Sequence, residues 1–158
     1  MKSVLLTVLF LLAAITLFPA GAPIQQSPVQ YAAKFICGKS RGDVVAPGVY
    51  FTAINVHNPT GRGFGFRKKF VIAPPFEKPG PPPNVAGADL GPDQAFEIDC
   101  EDILKHLVVG EQPTPAFVKG FVVIESRAEL DVVAVYTAAG ASGQVETLHI
   151  ERVAPRRQ

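Results

Sequence analysis

Three carboxylates crowd together at Asp99, Glu101 and Asp102, in the run FEIDCEDI. With a histidine among His57, His106 and His149 they could hold a divalent metal that activates water, or divide into an acid and a base. The spacing meets no HExxH helix, no calcium-binding loop and no pair of cysteines two apart. Helix capping explains two of the three more simply. Asp99 stands where an N-cap belongs, and Asp102 lies in the first turn, where a negative charge suits the helix dipole. A small metal-assisted hydrolase built on Asp99, Glu101 and Asp102 is therefore the alternative reading of function.

Residues 50 to 70, YFTAINVHNPTGRGFGFRKKF, collect the remaining reactive side chains. Gly61, Gly63 and Gly65 do not form a phosphate loop, which needs a helix after it and a terminal Lys-Ser/Thr; here an alternating strand follows. The stretch reads as a flexible loop joining two strands of a hairpin, with Asn58-Pro59 ending the first. Lys68 shares a side with Phe64, Phe66, Phe70 and Ile72. That is an inward charge guarding an edge strand, a bulge that shifts the phase, or an anion-binding lysine. His57, Asn58, Lys68 and Asp99 are the binding candidates. No GxSxG elbow is present, since Ser142 lies between two strands. Arg41-Gly42-Asp43 spells an integrin-recognition tripeptide in a polar loop. No pattern calls for a cofactor.

These residues need elements to carry them, and almost every segment has a period of two. YAAKFICG, VYFTAINVHN, FGFRKKFVIA, AFEIDC, KGFVVIES, LDVVAVYTA and VETLHIERV are seven short strands separated by Gly, Pro, Asn and Asp. They predict an all-β fold, an antiparallel immunoglobulin-like β-sandwich of about seven strands. KGFVVIES and LDVVAVYTA, apolar on both faces, read as a central hairpin turning tightly at Arg127-Ala128-Glu129. One short helix follows Asp99, with Ile103, Leu104 and Leu107 as its apolar stripe and Gly110 as its stop. Seven prolines and three glycines fall between Pro74 and Pro92, so this stretch reads as an extended crossover loop, residues 74–92.

The first residues, MKSVLLTVLFLLAAITLFPAGA, set one lysine before an apolar run and end in Ala20-Gly21-Ala22, the layout of a secretory signal peptide over residues 1–22. Pro23 directly after that site is a poor cleavage context, which keeps an uncleaved membrane anchor open. A linker, 23–30, then leads to one domain over 31–153 and a tail, 154–158. The chain has 15 basic and 14 acidic side chains, and they become equal once Lys2 is removed. No basic excess remains to neutralise a phosphate backbone, which argues against nucleic acid as a partner.

Two cysteines in an exported chain favour a disulfide. Cys37 is in phase with Ala33 and Phe35, and Cys100 with Phe96 and Ile98, so both point with the apolar side chains. A Cys37–Cys100 bond is the expectation; two buried thiols would satisfy the same phase.

From Val49 to Thr137 the order of features resembles the sensory rhodopsin transducer family of small β-sandwich proteins. The shared order is a strand ending in INVHNP, the basic strand FRKKFVIA, the corner LGPDQAFEIDCEDI and the apolar hairpin FVVIESRAELDVVAVYT. The resemblance implies a sandwich and a non-enzymatic, oligomeric binding role. The expected function is an exported, non-catalytic binding or interaction module, periplasmic or extracellular, whose partner is another protein or a copy of itself. A membrane-tethered accessory subunit is the form this takes if the leader stays uncleaved.

Overall fold

The computed structural model describes residues 29–107, 115–140 and 142–157, so the leader and Gly110 lie outside the described residues. The strands are β1 (Val29–Ser40), β2 (Gly48–His57), β3 (Phe64–Ile72), β4 (Asn84–Leu90) and β5 (Ala95–Asp99). Helix α1 (Cys100–Leu107) follows, then β6 (Phe117–Ser126), β7 (Asp131–Ala139), β8 (Val145–Arg152) and β9 (Arg156–Arg157). Every pairing is antiparallel, along the path β4-β3-β6-β1-β2-β7-β8, with β5 added to β2 and β9 to β1. The path folds into two layers, β4-β3-β6-β1 and β5-β2-β7-β8. They join where the end of β1 meets the start of β2, Gly38 opposite Tyr50 and Ser40 opposite Gly48.

Alternation decides what each strand buries. The odd residues of β1 from Val29 to Cys37 face inward, as do Thr52, Ile54 and Val56 of β2 and Val118, Val122 and Ile124 of β6. With Tyr31, Phe35, Phe70, Ile98 and Ile103 they form one core between the layers. At Gly38 the chain takes a φ of +98°, and a Cβ there would stand 2.2 Å from the Ala116 carbonyl oxygen. Only glycine permits that bend and that close backbone approach.

All seven expected strands form, and the antiparallel sandwich with one short helix stands. Two strands are additional. β4 occupies the second half of the proline-rich stretch, from Asn84 onward, where no proline interrupts; it pairs only with β3 and forms an edge. β9 draws the tail into the sheet, Arg157 opposite Val29 and Arg156 opposite Gln30, so the strands begin inside the expected linker and end inside the expected tail.

The connections differ more than the elements. KGFVVIES and LDVVAVYTA are not a hairpin: β6 lies between β1 and β3, and β7 between β2 and β8. The Arg127–Leu130 segment carries the chain from one layer to the other, with Leu130 buried and its N–H donated to the Tyr31 hydroxyl at 2.7 Å. Nor are β2 and β3 a hairpin, since they belong to different layers and the Asn58–Gly63 loop spans them. Among the described residues no helix is long and apolar enough to cross a membrane.

Candidate functional site

The expected cap at the head of α1 is present. The Asp102 N–H donates to Asp99 Oδ1 at 2.9 Å, and the Asp99 N–H to Asp102 Oδ2 at 3.4 Å. Two otherwise orphaned helix-end donors are thereby satisfied reciprocally. Glu101 faces solvent and pairs with Lys105 at 3.0 Å, one turn further on. This pair holds the exposed Lys105 ammonium above its ordinary pKa, chiefly by the hydrogen bond to Glu101. All three carboxylates thus serve the helix. Among the described residues no group of three or more His, Cys, Asp and Glu side chains is placed to hold a metal ion.

Helix α1 is fastened by its first residue. Cys100 bonds Cys37 of β1, with Cα atoms 5.6 Å apart, so of the two arrangements compatible with their inward phase the structure has the disulfide. The Thr52 N–H points at the Cys100 sulfur from 3.2 Å, so the bridge lies where β1, β2 and α1 meet.

Lys68 keeps its inward phase with no bulge on either side, and it is 6% exposed. It does not guard an edge, because β4 covers β3 on that side. Its ammonium stands 4.3 Å from the centre of the Phe96 ring, a cation–π contact across the two layers. Burial holds the Lys68 amine below its ordinary pKa, while the charge of Asp102 opposes the shift. Beside it the His106 ring stacks on Phe70 at 4.4 Å between centroids. Burial and the charge of Lys68 lower the His106 pKa. The structure therefore gathers Lys68, Phe96, His106 and the capped Asp99–Asp102 pair at one end of the core, under α1. Asn84 on β4 also donates to the His106 carbonyl oxygen, tying the helix to that edge.

His57 and Asn58 lie apart from this cluster. His57 Nδ1 is 3.4 Å from Asp131 Oδ2 on the outer face of the second layer. Asn58 is completely buried and spends its amide internally. Its Nδ2 donates to the Arg62 and Gly91 carbonyls at 2.8 Å each, and its Oδ1 accepts from Thr60 N–H and O–H. Asn58 thus locks two crossover loops together. Arg41, Gly42 and Asp43 are exposed in the β1–β2 loop, where Gly42 N–H donates to Ser40 Oγ.

The two outer faces of the sandwich contrast. On the first layer Arg67 (2.7 Å), Lys69 and Gln30 converge on Glu125. The Lys69 hydrogen bond is the largest of the effects that hold this carboxyl below its ordinary range. An open cleft of ≈ 640 Å³ beside them is lined by Gly65, Arg67, Gly87, Asp89, Glu125 and Arg127, with both signs of charge. On the second layer the cross-strand rows are Phe51–Thr137–Leu148 and Ala53–Val135–Ile150. Phe51 is 46% exposed, Leu148 63% and Ile150 61%, with Val49 beside them at 45%. Sequence reading missed this surface. Its signal was the apolar character of both faces of LDVVAVYTA, which reads equally well as a doubly covered strand.

No protein-family model and no curated protein matches the chain. Among solved structures the fold is similar to that of the crystal structure of Thermotoga maritima 1070, at 12% sequence identity and a TM-score of 0.51, over 83% of this chain and 95% of that one. At that identity the likeness is one of fold.

Proposed function

We propose that the chain is an exported, non-catalytic interaction module that docks a protein partner on the outer face of β2, β7 and β8. One observation carries the reading: Val49, Phe51, Leu148 and Ile150 stand exposed side by side on one layer, while on the opposite face the exposed Val85 and Phe121 are set among the Arg67–Glu125–Lys69 ion pairs. Contiguous exposed apolar surface of this kind marks an interaction site far more often than isolated exposed residues do. Export is supported by the leader-like first 22 residues and by the Cys37–Cys100 bond, which persists in an oxidising compartment. The resemblance to the sensory rhodopsin transducer family points the same way, toward binding without catalysis.

Affinity capture from the medium or envelope tests the face, using the exported protein and its Phe51→Lys variant at matched folding stability. A partner retained by the wild type and lost from Phe51→Lys supports the reading. Equal capture by both sinks it. Sequencing the N-terminus of the exported protein decides the leader: a start at Pro23 is expected, and an intact Met1 in the membrane fraction would favour the tethered subunit.

A further inference from the structure

We propose that the free edge of β8 is the pairing edge of a two-fold dimer, with His149 on the axis and Leu148 facing Ile150 of the second copy. The inference rests on the interaction-module reading and names one partner for it, a copy of this chain.

β8 is an eight-residue strand whose every residue is exposed, and among the described residues its single ladder partner is β7. Such an edge offers a row of unpaired backbone donors and acceptors. Which residues offer them follows from the ladder. The Val153 N–H donates to the Val132 carbonyl at 2.9 Å, continuing the register in which Val133 faces Arg152. Hydrogen-bonded and non-bonded pairs alternate along an antiparallel ladder. His149 and Glu151 therefore turn their backbone groups to β7, and Leu148, Ile150 and Arg152 turn theirs to the open side.

The sequence VETLHIERV, Val145 to Val153, is nearly symmetric about His149. Pair it antiparallel with itself on that centre, and Leu148 faces Ile150, Glu146 faces Arg152 and Val145 faces Val153. Leu148 and Ile150 thus meet on the outer face, and Glu146, the extra residue of a β-bulge between the Ala138 and Ala139 positions, comes to Arg152 from outside the regular pleat. Moving the axis by one residue sets Leu148 against Arg152, or Ile150 against Glu146. An axis between residues would oppose side chains of opposite faces, which the pleat forbids. In the matched register the outward groups of Leu148 and Ile150 pair with each other twice over, giving about four backbone hydrogen bonds before the flanks are counted. Arg152 already holds Asp131 at 2.8 Å, yet its side chain is 79% exposed, so its guanidinium retains donors for Glu146 of the second copy. The join makes the rows through Phe51 and Ala53 continuous across both copies.

The other edges lack this match. β4 carries Gly87 and Asp89 beside one exposed Val85, and β5 is only five residues long.

Sedimentation of the exported protein over a range of concentrations, with four variants, tests the pairing. The expected result is a concentration-dependent dimer. Leu148→Lys should weaken it roughly tenfold or more, since two apolar cross-strand pairs are lost at once, and Glu146→Arg should weaken it by setting like charges opposite. On the axis, His149→Cys should cross-link the dimer, because a non-hydrogen-bonded pair brings Cα atoms to about 4.5 Å, within disulfide reach. Thr147→Cys, off the axis, should not. A monomer at every concentration overturns the proposal, as does a dimer indifferent to both charge variants, or one cross-linked equally by Thr147→Cys. A monomer that still captures a partner through Phe51 overturns self-pairing alone. A β8 dimer without Phe51-dependent capture upholds self-pairing and overturns the docking face.

Discussion

The hydroxyl of Thr52 sits 3.0 Å from both the N–H and the carbonyl oxygen of Ile36, accepting from one and donating to the other. β1 pairs with β2 only from Gly48 to Tyr50, and β5 takes over the same edge from Ala53. At the gap between them one side chain does for Ile36 what a strand backbone would do.

Thr52→Val keeps the shape and removes that substitute, leaving the partly buried N–H and C=O of Ile36 without it. The expected loss is about 1–3 kcal/mol of unfolding free energy. Thr52→Ser should restore most of it. Denaturant unfolding measures both, and a Thr52→Val protein as stable as the wild type would refute the role.

Reducing the Cys37–Cys100 bond releases a loop of 63 positions. Chain-entropy arithmetic for a loop of that size gives a loss of about 4 kcal/mol. Unfolding with and without reductant checks it, and an unchanged midpoint would show that packing alone holds β1 against α1.

Lys68→Met should stabilise the fold near neutral pH by about 1 kcal/mol, because a thioether of similar volume replaces a desolvated charge. The sign with pH follows from the lowered amine pKa. The unfolded chain binds this proton more tightly than the folded one, so wild-type stability rises as pH approaches the unfolded lysine value of about 10.4. The advantage of the variant should shrink over that window. If it grew instead, the cation–π contact with Phe96 would outweigh the desolvation.

The Tyr136 phenol is pushed up to about 12, first by burial and then by the Glu151 carboxylate that its hydroxyl meets at 3.2 Å. A folded-state value above the unfolded one, about 10, gives stability that is full below pH 10 and is lost as pH rises through the folded value. Glu151→Gln should bring the titration of Tyr136 down, as followed by phenolate absorbance. An unmoved titration would assign the whole shift to burial.

The elements of this fold were legible because burial on one face leaves a period of two: Ala33, Phe35 and Cys37 in phase, then Phe96, Ile98 and Cys100. The same phase turned both cysteines and Lys68 inward, without deciding between a bond and two thiols or between an inward charge and a bulge, and Asp99 announced its helix. Partner choice was not legible. Arg127-Ala128-Glu129 is as short as a hairpin turn, and only the burial of Leu130 beneath Tyr31 sends the chain across to the other layer. Asn58-Pro59 likewise reads as an ordinary strand end, although the Asn58 amide is consumed by loops far along the chain. Local spacing records where a strand stops; long-range contacts decide what it pairs with. The candidate surface was hidden for a related reason, since an apolar outer face and a second buried face are written with the same residues.

The interleaved order of the strands also sets a timetable. β1 waits for β6 as its long partner, and β2 waits for β7, so the first layer cannot close until Ser126 has been made, nor the second until the chain has passed Asp131. Closing such long loops before any contact rewards them makes this topology a slow folder. Cys100 emerges from synthesis before either of those late strands. Oxidation at that stage would tie the first half into a ring around β2 to β5, and β6 would then dock onto β1 at one rim of that ring.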